Sequence, residues 1–286
     1  MRNGDSSAVT VLGTGAIGSQ AARAFLAVGL EVTVWNRTAA RAASLVDEGA
    51  VRAGTAAEAT ASSPLVVACL TDYPAVTATL WETRDVLRGR TFVALVTGSP
   101  EEARAAAEQA TAAGADYLDG GLQSGPEAIG TDTATIFYSG PAEVFDRHRG
   151  TLAALGPARF AGTEPGAAAL RDLALFGLWY DAQLGYLRAL ETVRAAGADV
   201  EAFAPMAAAQ LGHVVADAEN TAREVATRAF PRGPADLGEH ESVLTKLVEL
   251  RSDLRLGTGD LETALRLVRN RIARGGGNEG LTAILD

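Results

Sequence analysis

The sequence has few of the features that place a protein outside the cell or in a membrane. Its 286 residues include a single cysteine, Cys69, so no disulfide can form within the chain and a reducing compartment is expected. No apolar run approaches the roughly 20 residues that cross a bilayer. Residues 1–8 are polar and lack the apolar centre of a signal peptide. The composition therefore predicts a soluble, cytoplasmic protein with no membrane partner.

Positive charge and metal-ligating side chains are also scarce. The chain carries 25 Lys and Arg against 35 Asp and Glu, a formal net charge of −10, and shows no basic patch. Nucleic acids and anionic membranes bind clustered cations, so neither is an expected partner. The three histidines, His148, His213 and His240, are isolated and lack the spacing of metal ligands. We therefore predict surface or capping roles for them, no metal site, and a small molecule as the partner.

Short apolar runs alternate with Ala-rich amphipathic stretches between Ala8 and about Phe160. Most runs are β-branched and bounded by Gly, Pro, Thr or Asp, which is typical of strands. We expect seven strands, at residues 8–12, 31–35, 64–70, 92–96, 117–119, 134–138 and 158–160. Strands that alternate with helices predict βαβ units and a mainly parallel, doubly wound α/β sheet.

The pattern changes after Gly162. Residues 167–195 are apolar-rich and interrupted only by Gly177 and Gly185, which predicts a helix far longer than the mean of about 11–12 residues. The rest is predicted to be helical, with breaks at residues 231–234, 257–259 and 275–277. We therefore expect an N-terminal α/β domain at residues 1–163, an interdomain helix at 164–196, and an all-α C-terminal domain at 197–286.

A glycine-rich turn, Gly13-Thr14-Gly15-Ala16-Ile17-Gly18, joins the first strand to the first helix. Gly13 permits a tight turn, Gly15 lets the backbone approach a pyrophosphate, and Gly18 allows close packing of helix and strand. The helix N-terminus adds unpaired N–H groups and a partial positive charge. In this context the six residues predict a dinucleotide site in a Rossmann domain. A glycine-rich turn without a ligand is the alternative.

The end of the second strand predicts which dinucleotide binds. An NAD site has Asp or Glu there, which accepts hydrogen bonds from the ribose 2′-OH. This chain has Asn36, Arg37 and Thr38 instead. Arg37 can bind a 2′-phosphate bidentately, and Asn36 and Thr38 can add hydrogen bonds. The predicted cofactor is NADPH, and the alternative for Arg37 is a solvated surface residue.

Two later strand ends are candidate walls of the nicotinamide ribose site. Leu70 and Thr71 end one strong strand, and Val96 and Thr97 end the next. Doubly wound sheets bind ligands at the carboxyl ends of their strands. Ordinary strand-to-helix turns, with Ser99 capping the following helix, are an equally good interpretation.

Together with several later segments, these motifs resemble the imine reductase family. The later segments are residues 97–104 (TGSPEEAR), 117–120 (YLDG), 137–140 (FYSG), 170–175 (LRDLAL) and 274–280 (RGGGNEG). The first half is shared with the wider superfamily of 3-hydroxyacid and 6-phosphogluconate dehydrogenases. The resemblance implies NADPH-dependent reduction of a C=N bond to an amine. It also implies an intertwined homodimer with an active site shared between subunits.

The long helix separates two activities within this superfamily. Hydroxyacid dehydrogenases have a lysine early in this helix, whereas the only lysine of this chain is Lys246. Oxidation of an alcohol needs a group that takes the hydroxyl proton. Imine reductases have an Asp or Tyr further along the helix, where Tyr180 matches. The resemblance implies that Tyr180 donates a proton or holds the iminium, and that Asp172 steadies the cation.

The alternatives are purely structural roles: core packing for Tyr180 and an ion pair with a neighbouring arginine for Asp172. By the same resemblance, Gln123 and Ser124 line the substrate pocket, as do Phe176 and Asp181 of the long helix. Core packing is the more common role for Phe176 and for Trp179. Two other functions remain open, a hydroxyacid or carbonyl NADP-dependent dehydrogenase and a non-catalytic NADPH-binding protein.

Overall fold

A computed structural model describes residues 8–286 and contains one eight-stranded sheet with the strand order β3-β2-β1-β4-β5-β6-β7-β8. The strands are β1 Ala8–Leu12, β2 Glu31–Trp35, β3 Val51–Arg52, β4 Leu65–Ala68, β5 Thr91–Leu95, β6 Asp116–Leu122, β7 Ile136–Ser139 and β8 Ala158–Gly162. Neighbouring strands are parallel except for the antiparallel pair β6 and β7. The prediction of a doubly wound α/β sheet is confirmed.

Eleven α-helices are present in residues 8–286. They are α1 Ala16–Ala27, α2 Ala43–Asp47, α3 Ala56–Ala61, α4 Tyr73–Thr83, α5 Pro100–Ala112, α6 Ala142–Leu152, α7 Ala167–Ala195, α8 Val200–Val214, α9 Ala218–Thr227, α10 Leu237–Asp253 and α11 Leu261–Arg271. None of these helices is both long enough and apolar enough to cross a membrane.

Side-chain caps begin the helices that follow the central strands. Asp72 accepts a hydrogen bond from the amide of Ala75 at the start of α4. Ser99 accepts one from Glu102, whose carboxylate bonds back to the amide of Ser99, and Pro100 occupies the first helical position. Caps of this kind stabilise a helix by about 1 kcal/mol. The predicted cap at Ser99 is confirmed.

The sheet is covered on both faces, and β4 shows why the sequence requires this. All four of its side chains are buried and apolar. Leu65 and Val67 belong to one hydrophobic cluster, whereas Val66 and Ala68 belong to another, because alternate residues of a strand face opposite sides. A strand that is apolar on both faces needs helices on both.

Two local predictions were wrong in the first part of the chain. Strand β3 was not expected, because its two residues, Val51 and Arg52, are exposed and form no apolar run. His148 was assigned a surface or capping role, but its ring is buried and its Nε2 lies 2.9 Å from the hydroxyl oxygen of Thr91. A polar partner inside the core makes the burial of this histidine tolerable.

Helix α7 is continuous over 29 residues, as predicted. The chain divides into two compact units, one up to Leu178 and one from Trp179 onward. The three-part division at residues 163 and 196 stays a prediction. Trp179 was expected to pack in the core, but it is 57% exposed and stacks edge-on against Tyr180, so that expectation was wrong for the described chain.

The second unit has its own small core. Leu237 of α10 and Val268 of α11 pack with Ala283 near the end of the chain. Asp236 starts α10 by accepting a hydrogen bond from the amide of Glu239, whose carboxylate bonds back to the amide of Asp236. The loop around Gly280 is held by a hydrogen bond from its amide to the carbonyl of Pro231.

Candidate cofactor and active site

Two glycines of the turn between β1 and α1 are sterically obligatory. Gly13 has a positive φ of +90°, and a Cβ there would lie 2.3 Å from the carbonyl oxygen of Cys69. A Cβ on Gly18 would lie 1.9 Å from the carbonyl oxygen of Gly13. Any side chain at either position therefore displaces the backbone, which agrees with the roles expected for these glycines.

The third glycine, Gly15, faces open space. A Cβ there would meet no atom within 4 Å, and Gly15 is the N-cap of α1 without any side chain that caps the helix. The first amides of α1 are thus left for an anion. Within residues 8–286 the buried hydroxyl of Thr14 also has no hydrogen-bond partner. An unfilled helix N-terminus beside an unsatisfied hydroxyl fits the pyrophosphate of a dinucleotide.

Asn36 joins the glycine turn to the end of β2. Its Oδ1 accepts a hydrogen bond from the amide of Thr14 at 3.1 Å, and its Nδ2 donates to the carbonyl of Thr38 at 3.0 Å. Both ends of the side chain are therefore engaged within the protein. The amide of Gly13 also donates to the carbonyl of Trp35. These hydrogen bonds hold the glycine turn against the end of β2, and a dinucleotide site depends on both segments.

The cations after β2 are arranged differently from the sequence-based expectation. Arg37, Thr38 and Arg41 are all exposed, and of these three Arg41 is the one that lies on the wall of the cleft described below. Arg41 was not predicted as a cofactor residue, and it lies in a short 3-10 helix at residues 39–42 that begins after Arg37. The signal that the sequence offered was a second cation only four residues after Arg37.

A cleft of about 480 Å³ opens above the carboxyl ends of β1, β4 and β5. It brings together most of the predicted cofactor residues and two predicted pocket residues: Gly13, Gly15, Ala16, Ile17, Gly18, Asn36, Leu70, Thr71, Val96, Thr97, Ser124 and Phe176. Arg41, Cys69, Leu95 and Leu122 also line the cleft and were not predicted. Burial raises the pKa of the Cys69 thiol to about 12, so this cysteine is not a thiolate nucleophile.

Asp172 is a buried carboxyl in the first part of α7. Its Oδ1 accepts a hydrogen bond from Nε2 of Gln123 at 2.8 Å. Its Oδ2 is buried and has no hydrogen-bond partner among the residues that the structure describes. Burial raises the pKa of Asp172, and interactions with Gln123 and Thr97 partly oppose that shift. A carboxyl that keeps its proton more readily than usual is suited to proton transfer.

Gly121 explains how close α7 comes to the sheet. A Cβ on this residue of β6 would lie 2.9 Å from Cβ of Asp172 and 3.1 Å from the carbonyl oxygen of Ala168. Only glycine leaves room for the helix at this distance. The next predicted pocket residues follow directly, and the hydroxyl of Ser124 accepts a hydrogen bond from the amide of Thr135 at 2.8 Å.

The remaining predicted residues lie in different surroundings. Phe176 is partly buried on the cleft wall. Tyr180 and Asp181 belong to the second unit, where both are exposed and Tyr180 is 57% accessible. Within the described residues Tyr180 therefore does not fill the core, which was the alternative interpretation. No group of three or more potential metal ligands occurs in residues 8–286.

Comparison with protein families divides the chain into two matched regions. Residues 8–162 match the NAD binding domain of 6-phosphogluconate dehydrogenase. Residues 164–286 match the C-terminal domain of NADPH-dependent reductive aminase-like proteins.

Individual relatives extend over nearly the whole chain. An NADPH-dependent reductive aminase from Aspergillus oryzae is 29% identical over 97% of this chain and 96% of its own length. The structure of a reductive aminase from Aspergillus terreus in complex with NADPH and ethyl levulinate is 33% identical, with a TM-score of 0.89 over 100% of this chain and 99% of its own. An imine reductase from Bacillus cereus is 32% identical, with a TM-score of 0.89 over 97% of both chains. The chain therefore belongs to the NADPH-dependent imine reductase family, as its motifs predicted.

Proposed function

We propose that this protein reduces a C=N bond to an amine with NADPH. NADPH supplies the hydride, which adds to the imine carbon, while a proton is added to the nitrogen and NADP⁺ is released. The observation that carries the proposal is Asp172, a buried carboxyl with a raised pKa that interacts with Thr97 on the cleft wall. A general acid is the one group that this reaction requires of the protein besides the cofactor site.

The dinucleotide would lie along the glycine turn. The amides at the start of α1 would bind its pyrophosphate, and Leu70, Thr71, Val96 and Thr97 would flank the nicotinamide ribose. Arg37, with Asn36 and Thr38, was expected to bind the 2′-phosphate. The position of Arg41 on the cleft wall supports adding this second cation to the phosphate site.

Asp172 would hold the proton and transfer it to the imine nitrogen. Its raised pKa keeps a larger fraction of the acid protonated near neutral pH than for an exposed aspartate. The anion left after transfer would lie beside a newly formed ammonium or amine, and Gln123 would stabilise it by a hydrogen bond. Tyr180 would contact the substrate and hold the iminium, as the family resemblance implies.

An intertwined homodimer is part of the proposal. Many apolar side chains are more than a third exposed on the helices of the second half, among them Leu178, Leu184, Leu187, Met206, Leu211, Val214, Val243 and Leu250. Apolar surface on this scale is unusual for a monomer and marks an association surface. A dimer would also explain how an exposed Tyr180 becomes part of an enclosed site. The single cysteine supports a cytoplasmic location.

The test is NADPH oxidation with five- and six-membered cyclic imines. The parent should turn these substrates over, and Asp172→Asn and Tyr180→Phe should each lower kcat, the former by roughly 10²–10⁴-fold. NADPH affinity should remain unchanged in both variants and fall in Arg37→Ala. If a broad panel of imines gives no turnover although NADPH binds tightly, the proposed reaction is wrong.

The dimer is tested separately by sedimentation. Leu184→Lys should shift the parent dimer toward monomer, because it places a charge on the apolar surface. Val28→Lys is the matched control, since Val28 is also apolar and exposed but lies at the end of α1. A compact monomer of the parent at micromolar concentration would refute the dimer.

A further inference from the structure

We propose that Gln123 is a positioning residue that holds the carboxyl group of Asp172 in one orientation and directs its proton to Oδ2. This inference rests on the proposed function in one respect only: the proposed reaction transfers that proton to the imine nitrogen. The hydrogen bond between Gln123 and Asp172 forms in the protein without any ligand. It involves one residue that follows β6 and one in α7, both in the first compact unit.

The orientation of the Gln123 amide is set by its two acceptors. Nε2 donates to the backbone carbonyl oxygen of Asp172 at 2.9 Å and to Oδ1 of the same residue at 2.8 Å. A backbone carbonyl can only accept, so the amide must present its nitrogen rather than its oxygen to Asp172. Nε2 therefore faces two acceptors of one residue.

This arrangement decides which oxygen of Asp172 carries the proton. Oδ1 already accepts from Gln123, and a proton on Oδ1 would compete with that N–H group. The neutral acid therefore keeps Oδ1 as its carbonyl oxygen and carries its proton on Oδ2. Oδ2 is buried and makes no hydrogen bond of ordinary geometry within residues 8–286, and Thr97 is the other side chain whose interaction favours the ionised carboxyl. The oxygen that is free to donate is thus selected by Gln123.

The backbone holds Gln123 in place for this role. Its amide donates to the carbonyl of Thr135 at 3.0 Å, which continues the pairing of β6 with β7 by one residue. Gly121, two residues earlier, has no side chain, so α7 can approach β6 closely. A Cβ added to Gly121 would lie 2.9 Å from Cβ of Asp172. The side chain of Gln123 therefore spans a short and fixed distance.

The charged and polar groups around Asp172 are few. Asp119 of β6 interacts with it electrostatically, and Thr97, which follows β5, contributes a favourable interaction with its ionised form. Gln123 contributes the largest interaction that favours ionisation of Asp172. Arg171, next to Asp172 in α7, is exposed and donates to the carbonyl of Ala167. Removal of Gln123 should therefore raise the pH at which Asp172 loses its proton.

The experiment uses Gln123→Met, which keeps the length of the side chain and removes both donors. Infrared titration of the cofactor-free protein follows the carboxyl band that disappears in Asp172→Asn. In Gln123→Met this band should move to higher wavenumber, because the C=O at Oδ1 loses its hydrogen bond. The titration midpoint should rise by about one pH unit. Gln109→Met is the matched control, since Gln109 also donates to a backbone carbonyl, that of Thr77, and should leave the band unchanged.

Gln123→Glu gives a second test that does not depend on the packing of methionine. An ionised glutamate cannot donate to Oδ1 and repels the Asp172 carboxylate, so the midpoint should rise further than in Gln123→Met. If the band position and midpoint match those of the parent in both variants, the positioning role is refuted. With an active parent, Gln123→Met should also move the alkaline limb of the kcat profile upward while the KM for NADPH stays constant.

The two proposals fail in different ways. Absence of imine turnover in the parent, together with the infrared shift in Gln123→Met, would remove the proposed reaction and leave the positioning of Asp172 intact. Imine turnover that depends on Asp172, with no infrared shift, would leave the reaction intact and overturn the role of Gln123.

Discussion

Oδ2 of Asp119 accepts a hydrogen bond from the amide nitrogen of Ala169 at 3.0 Å, so a buried carboxyl of β6 holds the first turn of α7. Beside it, the hydroxyl of Ser139 accepts from the amide of Ala168, also at 3.0 Å. Asp119 and Ser139 are partners in the register of β6 and β7. Two adjacent strands therefore supply the side-chain acceptors for the free amides at the start of this helix.

The second oxygen of Asp119 is also occupied. Oδ1 accepts a hydrogen bond from the hydroxyl of Tyr73, the first residue of α4. Burial raises the pKa of Asp119 to about 6, and the hydrogen bonds from Tyr73 and Ala169 only partly offset this effect. Asp119 thus links α4, β6 and α7 through one carboxyl group.

We expect Asp119 to make the stability of the protein depend on pH. Its pKa rises from 3.8 in the unfolded chain to about 6 in the folded protein, so the folded state binds more protons between these values. The contribution of Asp119 to the free energy of unfolding is therefore greatest below about pH 4. It falls as the pH rises to about 6, by roughly 2–3 kcal/mol. Urea unfolding at a series of pH values measures this slope.

Asp119→Asn should remove that component of the slope, since an amide does not titrate. Asp116→Asn is the control, because Asp116 lies in the same strand but has a side chain that is 43% exposed and paired with Arg147. An exposed ion pair contributes at most about 1 kcal/mol. An unchanged slope between pH 4 and 6 in Asp119→Asn would show that other groups govern the acid stability.

Two substitutions in the glycine turn should affect different properties, one mainly the stability and the other mainly the binding of NADPH. Gly18→Ala should lower the free energy of unfolding by about 1–3 kcal/mol, because the new Cβ would lie 1.9 Å from the carbonyl oxygen of Gly13. Gly15→Ala has open space for its methyl group and should lower the free energy of unfolding by no more than about 1 kcal/mol, the cost of alanine at an N-cap. It should weaken NADPH binding at least about tenfold, because the methyl group occupies room needed by the pyrophosphate. Thermal unfolding and fluorescence titration with NADPH measure the two effects, and equal NADPH affinity in Gly15→Ala and the parent would contradict this location.

Arg41 should govern the preference for NADPH over NADH. Loss of a charge-assisted hydrogen bond costs about 1.5–3 kcal/mol, so Arg41→Ala should raise the Kd for NADPH roughly 10–100-fold and leave that for NADH unchanged. Arg23→Ala is the control, since Arg23 is paired with Glu48 on the surface. If Arg41→Ala weakens both cofactors equally, Arg41 does not bind the 2′-phosphate.

Arg251 should be the most sensitive arginine of the second unit. Arg251 is only 6% exposed. Its guanidinium donates hydrogen bonds to the carbonyls of Gly257 and Arg188 and to the hydroxyl of Thr192. Arg251→Met removes the donor of three partly buried hydrogen bonds and should lower the free energy of unfolding by about 1–3 kcal/mol. Chemical denaturation measures the difference.

Arg194→Met is the matched substitution. Arg194 is exposed and pairs with Glu191 one helical turn away, so its loss should cost only a few tenths of a kcal/mol. Similar effects of the two substitutions would mean that the buried bonds of Arg251 add nothing to stability.

Much of the fold follows from local patterns in the sequence. Strands β1 and β2 have the predicted bounds, and α7 covers the predicted residues, because each is a long or regular apolar pattern. Strand β6 was predicted only as far as Asp119, since Gly120 and Gly121 have no strand propensity of their own. Their pairing with β7 extends the strand, and only the tertiary structure supplies that partner.

The candidate site divides in the same way. The sequence determined the glycine turn and the family and indicated Asp172 as a candidate catalytic residue that steadies the cation, since these depend on residue identity at short spacing. Only the tertiary structure shows that Arg41 lines the cleft and that Gln123 donates a hydrogen bond to Asp172. It also shows that Asp119 accepts a hydrogen bond from the first turn of α7. These last two contacts join residues 49 and 50 positions apart, and no local pattern specifies which distant side chains burial will bring together.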